Sequence, residues 1–217
     1  MTSIRHLRTA CLLLSLGTCP VNYSYSHSAH AAEPATTTPL LKGAAARRVA
    51  LWQRSAPITG ARYTLTRHSS LLWDPLVVHG TLTLSSNLLE LRDDERTGAT
   101  TRIANDGCEI SANDATLPPG PAVQISPAIT WLRDHLVALL SARDPGAIIK
   151  DAKISVPRGA GSQFDLNPSR SHPAHAKIDH LRVRLAPDTG EILELELLLT
   201  AGDRVTLALA DPQRPPV

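Results

Sequence analysis

Through most of this chain hydrophobic and polar residues alternate with period two, the pattern of strands that keep one dry and one wet face. ARYTLTRH (61–68), GTLTLSS (80–86), LLELRDD (88–94), TTRIAND (100–106) and GCEISAN (107–113) follow one another with short turns between them. SQFDLNP (162–168) is a further strand. The pattern is cleanest in the last third. HLRVRLAP sets Leu181, Val183 and Leu185 against Arg182 and Arg184, and after the turn PDTG, EILELELLL sets Leu193, Leu195 and Leu197 against Glu194 and Glu196. DRVTLALAD then offers Val205, Leu207 and Leu209. Arg182 and Arg184 can face Glu194 and Glu196 across a hairpin, which makes those charges a solvated face. About eight to eleven strands with one apolar face each imply an antiparallel sheet that needs cover on one side.

Two segments break the period. GAAARRVALWQRS (43–55) has Ala46, Val49, Ala50 and Trp52 or Gln53 at helical spacing and is ended by Pro57 and Gly60. SPAITWLRDHLVALLSARD (126–144) predicts one helix of four turns or more, with Ser126 as N-cap, Pro127 at its first position and Ile129, Leu132, Leu136, Leu139 and Leu140 in one stripe. SSLLWDPLVVHGTLTLSS (69–86) is less regular, because Leu71, Leu72, Trp73, Leu76, Val77 and Val78 crowd around Asp74-Pro75 before the alternation begins. Pro75 and Gly80 read as an interrupted sheet edge, and the leucines as the rim of an apolar opening or as ordinary packing around a bend.

The first 31 residues carry Arg5, Arg8, no acid, and a short apolar run from Ala10 to Gly17, the makings of a cleavable export signal ending at Ala29-His30-Ala31. Cys19 follows that run and raises lipidation as an alternative. Without the leader, Lys and Arg number 20 and so do Asp and Glu, so nothing points to a nucleic-acid surface. Cys108 is then the one remaining thiol, and no internal disulfide is expected. The division is 1–31 signal peptide, 32–42 flexible segment, 43–211 globular domain and 212–217 tail.

No nucleophile elbow, phosphate loop or zinc helix motif occurs, so the chain is not read as an enzyme and no cofactor is expected. His172, His175, Asp179 and His180 in RSHPAHAKIDH could form a metal site, but the Pro-rich surroundings suit a solvated loop and no metal is expected. What remains is an aliphatic interior poor in aromatics, which suits either a closed core or a cavity for a hydrophobic chain.

The order of these elements resembles LolA-like proteins, relatives of the outer-membrane lipoprotein carrier. The features are a leader, a short helix, Y-x-L-x-R, then LWDPLVVHGTLTL and NLLEL, with Tyr63, Leu72, Pro75, Leu76, Gly80, Leu82 and Leu84 at the positions that carry the likeness. TWLRDHLVALLSARDP, SQFDLNP and the last hairpin extend it to about Ala210. The resemblance implies a mainly β fold with helices (α+β): an unclosed antiparallel β-barrel covered by an α-helical lid over a hydrophobic cavity. It implies a cavity and lid formed by Tyr63, Leu65, Leu72, Leu76, Leu82, Leu84, Leu89, Trp131, Leu132, Leu136, Leu139, Leu140, Val183, Leu185, Leu195 and Leu197. The carrier's lid-latching arginine is replaced here by the turn Ser85-Ser86-Asn87, which points away from lipoprotein as cargo. The implied function is a monomeric periplasmic carrier or chaperone that takes a lipid or acylated cargo from an inner-membrane transporter to an outer-membrane acceptor. The alternative is a periplasmic β-rich interaction domain with a filled core and no lipid cargo.

Overall fold

The computed structural model describes residues 41–85, 88–95, 98–104, 107–112, 126–142 and 144–215. The expected leader with Cys11 and Cys19, most of the flexible segment, and Ser86 and Asn87 lie outside these residues.

Helix α1 (Gly43–Trp52) leads into β1 (Gly60–His68), β2 (Leu76–Leu84), β3 (Leu88–Asp93), β4 (Ala99–Ala104) and β5 (Cys108–Ala112). Helix α2 (Pro127–Val137), a π-helical turn (Ala138–Ala142) and helix α3 (Pro145–Ile149) come next. The chain ends in β6 (Ala152–Ser155), β7 (Gln163–Pro168), a 3-10 turn (Pro173–Ala176), β8 (Ile178–Leu185), β9 (Ile192–Leu199) and β10 (Arg204–Gln213). Among the described residues the ten strands form one antiparallel sheet in the order β5-β4-β3-β2-β1-β10-β9-β8-β7-β6. Two meanders of five strands are thus joined through the β1–β10 pair, while among the described residues β5 and β6 are the edges and the barrel is not closed.

β1 and β2 lie inside this sheet, so Pro75 and Gly80 do not mark an edge. Pro75 sits in the loop before β2, where its missing N–H costs no ladder bond. Gly80 pairs with Tyr63 on one side and Asp93 on the other. The Tyr63 ring lies across it: a Cβ at position 80 would come within 2.7 Å of that ring and would also meet the Arg92 carbonyl. The Tyr63 hydroxyl then donates to Asp93 at 2.8 Å, and Asp93 also accepts from the Ala99 N–H at 3.1 Å. A buried carboxylate is thereby satisfied, which an apolar setting requires.

The outer face carries the charged rungs expected from the sequence. Arg182 lies opposite Glu196 and Arg184 opposite Glu194, at 3.2 and 3.0 Å. Arg182 also grips the buried Asp165 of β7 through two bonds of 2.9 and 3.1 Å. Leu193, expected on the dry face, is exposed, because the register shift between Arg184 and Leu185 changes the phase and turns Ile192 inward instead. β10 continues to Gln213, which pairs with Gly60, so residues 212 and 213 belong to the sheet and not to a tail.

The long helix expected over 126–144 is divided. α2 begins as predicted, with the Ser126 side chain accepting from the Ile129 N–H and Pro127 at the first position. After Val137 the π-helical turn widens the ring and rotates the side chains of its own residues relative to α2. Leu139 and Leu140 therefore leave the stripe of Leu132 and Leu136. Their carbonyls receive the Trp52 Nε1–H at 3.0 Å and the Ile58 N–H at 2.8 Å, which ties α1 and its exit to the turn.

Candidate hydrophobic cavity

The inner face of the sheet and the underside of α2 line a small cavity that is partly open. Its walls are Leu65 of β1, Leu82 of β2, Leu89 and Leu91 of β3, Leu181 of β8, Leu195, Leu197 and Leu199 of β9, Val205 and Leu207 of β10, and Leu132 and Leu136 of α2. Five strand spacings separate β3 from β8, about 24 Å in a flat sheet. Both lining one space shows how far the sheet curls. Every lining side chain is aliphatic, so the cavity presents no hydrogen-bonding or charged side chain. All are buried except Val205, which is half-buried at the end of the sheet where β9 turns into β10.

Of the residues expected at a cavity, the structure brings together Leu65, Leu82, Leu89, Leu132, Leu136, Leu195 and Leu197. The others lie elsewhere. Tyr63 is committed to Gly80 and Asp93; Leu84, Val183 and Leu185 are buried in the surrounding core. Leu76 is half-buried against that core, and Leu72 is exposed in the β1–β2 loop. Trp131 turns to α3, stacking on His135 with ring centres 4.0 Å apart and donating to the Asp151 carbonyl at 3.3 Å. Leu139 is fully buried away from the cavity, and Leu140 lines a different cleft. Leu91, Leu181, Leu199, Val205 and Leu207 complete the lining without having been singled out, although alternation already placed Leu181, Val205 and Leu207 on a dry face.

The cavity volume is only about 50 Å³, far below the roughly 300–1,000 Å³ of pockets that bury a small-molecule ligand. Leu132 and Leu136 fill what would otherwise be a groove. A longer passenger enters only if α2 moves. A wider space of about 240 Å³ lies at the opposite end of the sheet, but Glu191, Asp211 and Arg214 form part of its lining and Arg214 pairs with Glu191 at 2.7 Å. That charged lining does not suit an alkyl chain.

The His135 Nδ1 donates to the Trp131 carbonyl at 2.8 Å, since a carbonyl can only accept, and this leaves Nε2 a bare acceptor. Among the described residues Nε2 has no partner in good hydrogen-bond geometry, although the Lys150 backbone lies beside it, and Nη1 of Arg133 has none either, while that side chain's other nitrogens hold Asp134. Each such group costs about 1–3 kcal/mol when buried, and lifting the helix would hydrate both. Burial pushes the His135 pKa down, against support for the charged form from the Trp131 backbone, Asp134, the Lys150 backbone and Asp151. The folded state therefore resists the proton that the unfolded chain accepts near the ordinary histidine value. Stability should fall as pH drops below about 6.5. Thermal melts between pH 8 and pH 5 are expected to show a smaller loss of Tm for His135→Gln than for the unaltered protein.

The other polar candidates are ordinary. The His172 Nδ1 accepts from the Ala174 N–H at 3.1 Å and caps the 3-10 turn, and the His180 ring meets its neighbour Asp179 at 2.8 Å. Among the described residues no three side chains gather in a metal-binding arrangement. Cys108 is buried, and burial raises its thiol pKa. No helix among the described residues is long and apolar enough to cross a membrane.

No family model matches the chain, and no curated protein is similar to it in sequence. Several solved structures align with most of its length. The LolA superfamily protein NE2245 from Nitrosomonas europaea matches with a TM-score of 0.43 at 6% identity, over 80% of this chain and 94% of that one. A DUF1329 family protein from Desulfovibrio piger gives 0.44 at 6% identity, over 78% and 90%. LprF from Mycobacterium bovis gives 0.35 at 9% identity, over 79% and 95%.

Proposed function

We propose that this protein is a carrier that holds one alkyl or acyl chain of a lipid-like molecule in the leucine-lined cavity, with α2 as its lid. The observation that carries this reading is a lining of twelve aliphatic side chains, two of them, Leu132 and Leu136, supplied by a helix that lies over the curled sheet. Moving Leu132 and Leu136 out of contact costs roughly 3–6 kcal/mol, whereas a chain of a dozen methylenes recovers about 0.8 kcal/mol each. Export by residues 1–31 would place the carrier in the periplasm, between an inner-membrane donor and an outer-membrane acceptor. Such a protein needs no catalytic group and no cofactor.

A second reading has one observation in its favour. The cavity of about 50 Å³ is small enough for a filled core, in which case the domain binds a protein partner and no lipid. Solvent extraction of the purified protein followed by mass spectrometry separates the two. Co-purified acyl lipid supports the carrier, and extracts free of lipid from every preparation support the filled core.

A further inference from the structure

Four of the five large hydrophobic side chains exposed among the described residues belong to one hairpin. Leu71 is 88% exposed, Leu72 46%, Trp73 fully, and Val77 43%. The first three are consecutive in the β1–β2 loop, so they form a convex tip and not part of a groove or a flat sheet face. Nothing in the packing requires them there.

The base of this loop is firmly held. Arg67 pairs with Asp203 of the β9–β10 turn at 2.7 Å, and both side chains are largely buried. Asp203 also accepts from the Ser69 hydroxyl and the Ser70 backbone. The Leu72 N–H donates to the Ser69 carbonyl at 3.1 Å and closes a turn. The chain is thus fixed at its root and carries its apolar side chains outward from it.

The loop also stands at the open end of the cavity. Val205, the half-buried lining residue, pairs with Arg67, and Leu199 ends β9 beside the same turn. Four residues of chain, at most about 14 Å when extended, separate Arg67 from Leu71.

We propose that the β1–β2 loop docks this end of the protein on a phospholipid bilayer, with Leu71 and Trp73 inserted at the level of the headgroups. Three side chains fall well short of the roughly 800 Å² per partner that a stable protein interface buries. They suffice for a bilayer, where an indole at the interface and leucine just below it are both favoured. The only acid within the tip is Asp74, and no basic residue lies between Ser69 and Pro75. Attachment is therefore by apolar insertion and survives high salt, unlike a polybasic contact. Docked in this way, the cavity opens toward the lipid layer.

The chain contains a built-in probe, because Trp73 is exposed while Trp52 and Trp131 are buried. On mixing with phosphatidylethanolamine/phosphatidylglycerol vesicles, its emission is expected to shift to the blue and to be quenched by lipids brominated near the headgroup. In co-sedimentation the double variant Leu71→Ser/Trp73→Ser is expected to lose about tenfold or more in vesicle partitioning, in line with the apolar area removed, with Tm unchanged. No blue shift with vesicles overturns the proposal. So does a Trp73 that is already blue-emitting and shielded from iodide without lipid, which means that a second copy or another part of the chain covers the tip. A stable protein complex lost in the double variant, without any vesicle binding, overturns it as well. The inference does not rest on the cargo reading. Lipid-free protein that binds vesicles but never takes up a chain contradicts that reading alone, and protein that takes up a chain but ignores vesicles contradicts this one alone.

Discussion

Leu136→Asp is expected to reduce uptake of a fluorescent fatty acid by at least tenfold, while Arg182→Ala leaves it within about twofold. Leu136 projects from α2 into the cavity, so a carboxylate there either faces the alkyl chain unpaired or holds the lid open to water. A buried unpaired charge costs several kcal/mol. Arg182 lies on the outer face of the sheet, where its loss removes rungs to Asp165 and Glu196 without touching the cavity. Leu136→Ala separates binding from folding. In a filled core it merely leaves a hole and costs about 2–5 kcal/mol. In a carrier it has the same effect on the empty protein but enlarges the site, so a bound chain should recover part of the lost Tm. Leu139 is no substitute for Leu136 in this test. It is fully buried away from the cavity, and an aspartate there would unfold the packing around Trp52.

The second large effect concerns the fold. Gly80→Ala is expected to destabilise by about 3 kcal/mol or more, enough to lower Tm by roughly 6–12 °C in a domain of this size. The added methyl would meet the Tyr63 ring and the Arg92 carbonyl, and the carbonyl cannot move without breaking the β2–β3 ladder. Displacing the ring would also loosen the hydroxyl that satisfies Asp93. Gly161→Ala is the control, since a methyl there meets nothing within 4 Å, and it should melt within about 0.5 kcal/mol of the parent. Equal melting of the two variants would remove Tyr63, Gly80 and Asp93 from this structural role.

Alternation revealed most of the sheet because it survives wherever one face is dry, as in β8, with Leu181, Val183 and Leu185 inward and Arg182 and Arg184 outward. It failed where register changed. Leu193 lies beside the irregularity at Arg184 and Leu185, and a shift of one residue moves a side chain to the other face. Helix α2 was legible from its Ser126-Pro127 start and its stripe of leucines, but nothing local announced the π-helical turn that sends Leu139 and Leu140 toward α1. Strand order was equally hidden. The pairing of β1 with β10 joins the first strand to the last, a contact between distant residues that periodicity does not encode. This is why Pro75 and Gly80 suggested an edge although β2 lies in the interior. The cavity lining was half visible for the same reason. Inward-facing leucines could be recognised, but which of them meet across a curled sheet depends on its curvature. Leu71, Leu72, Leu76 and Val78 were read as a rim or as packing around a bend; Val78 is in the core, whereas Leu71 and Leu72 stand exposed beside Trp73 in the β1–β2 loop.

A carrier of this build works only if α2 yields to a passenger, and titration of delipidated protein with a fluorescent fatty acid tests this most directly. The expected result is saturable binding of one chain per protein, with the probe's emission moved to the blue and α2 amides exchanging faster while Tm rises. Protein that stays dark in this titration, with α2 exchange unchanged across the full range of added fatty acid, would contradict it.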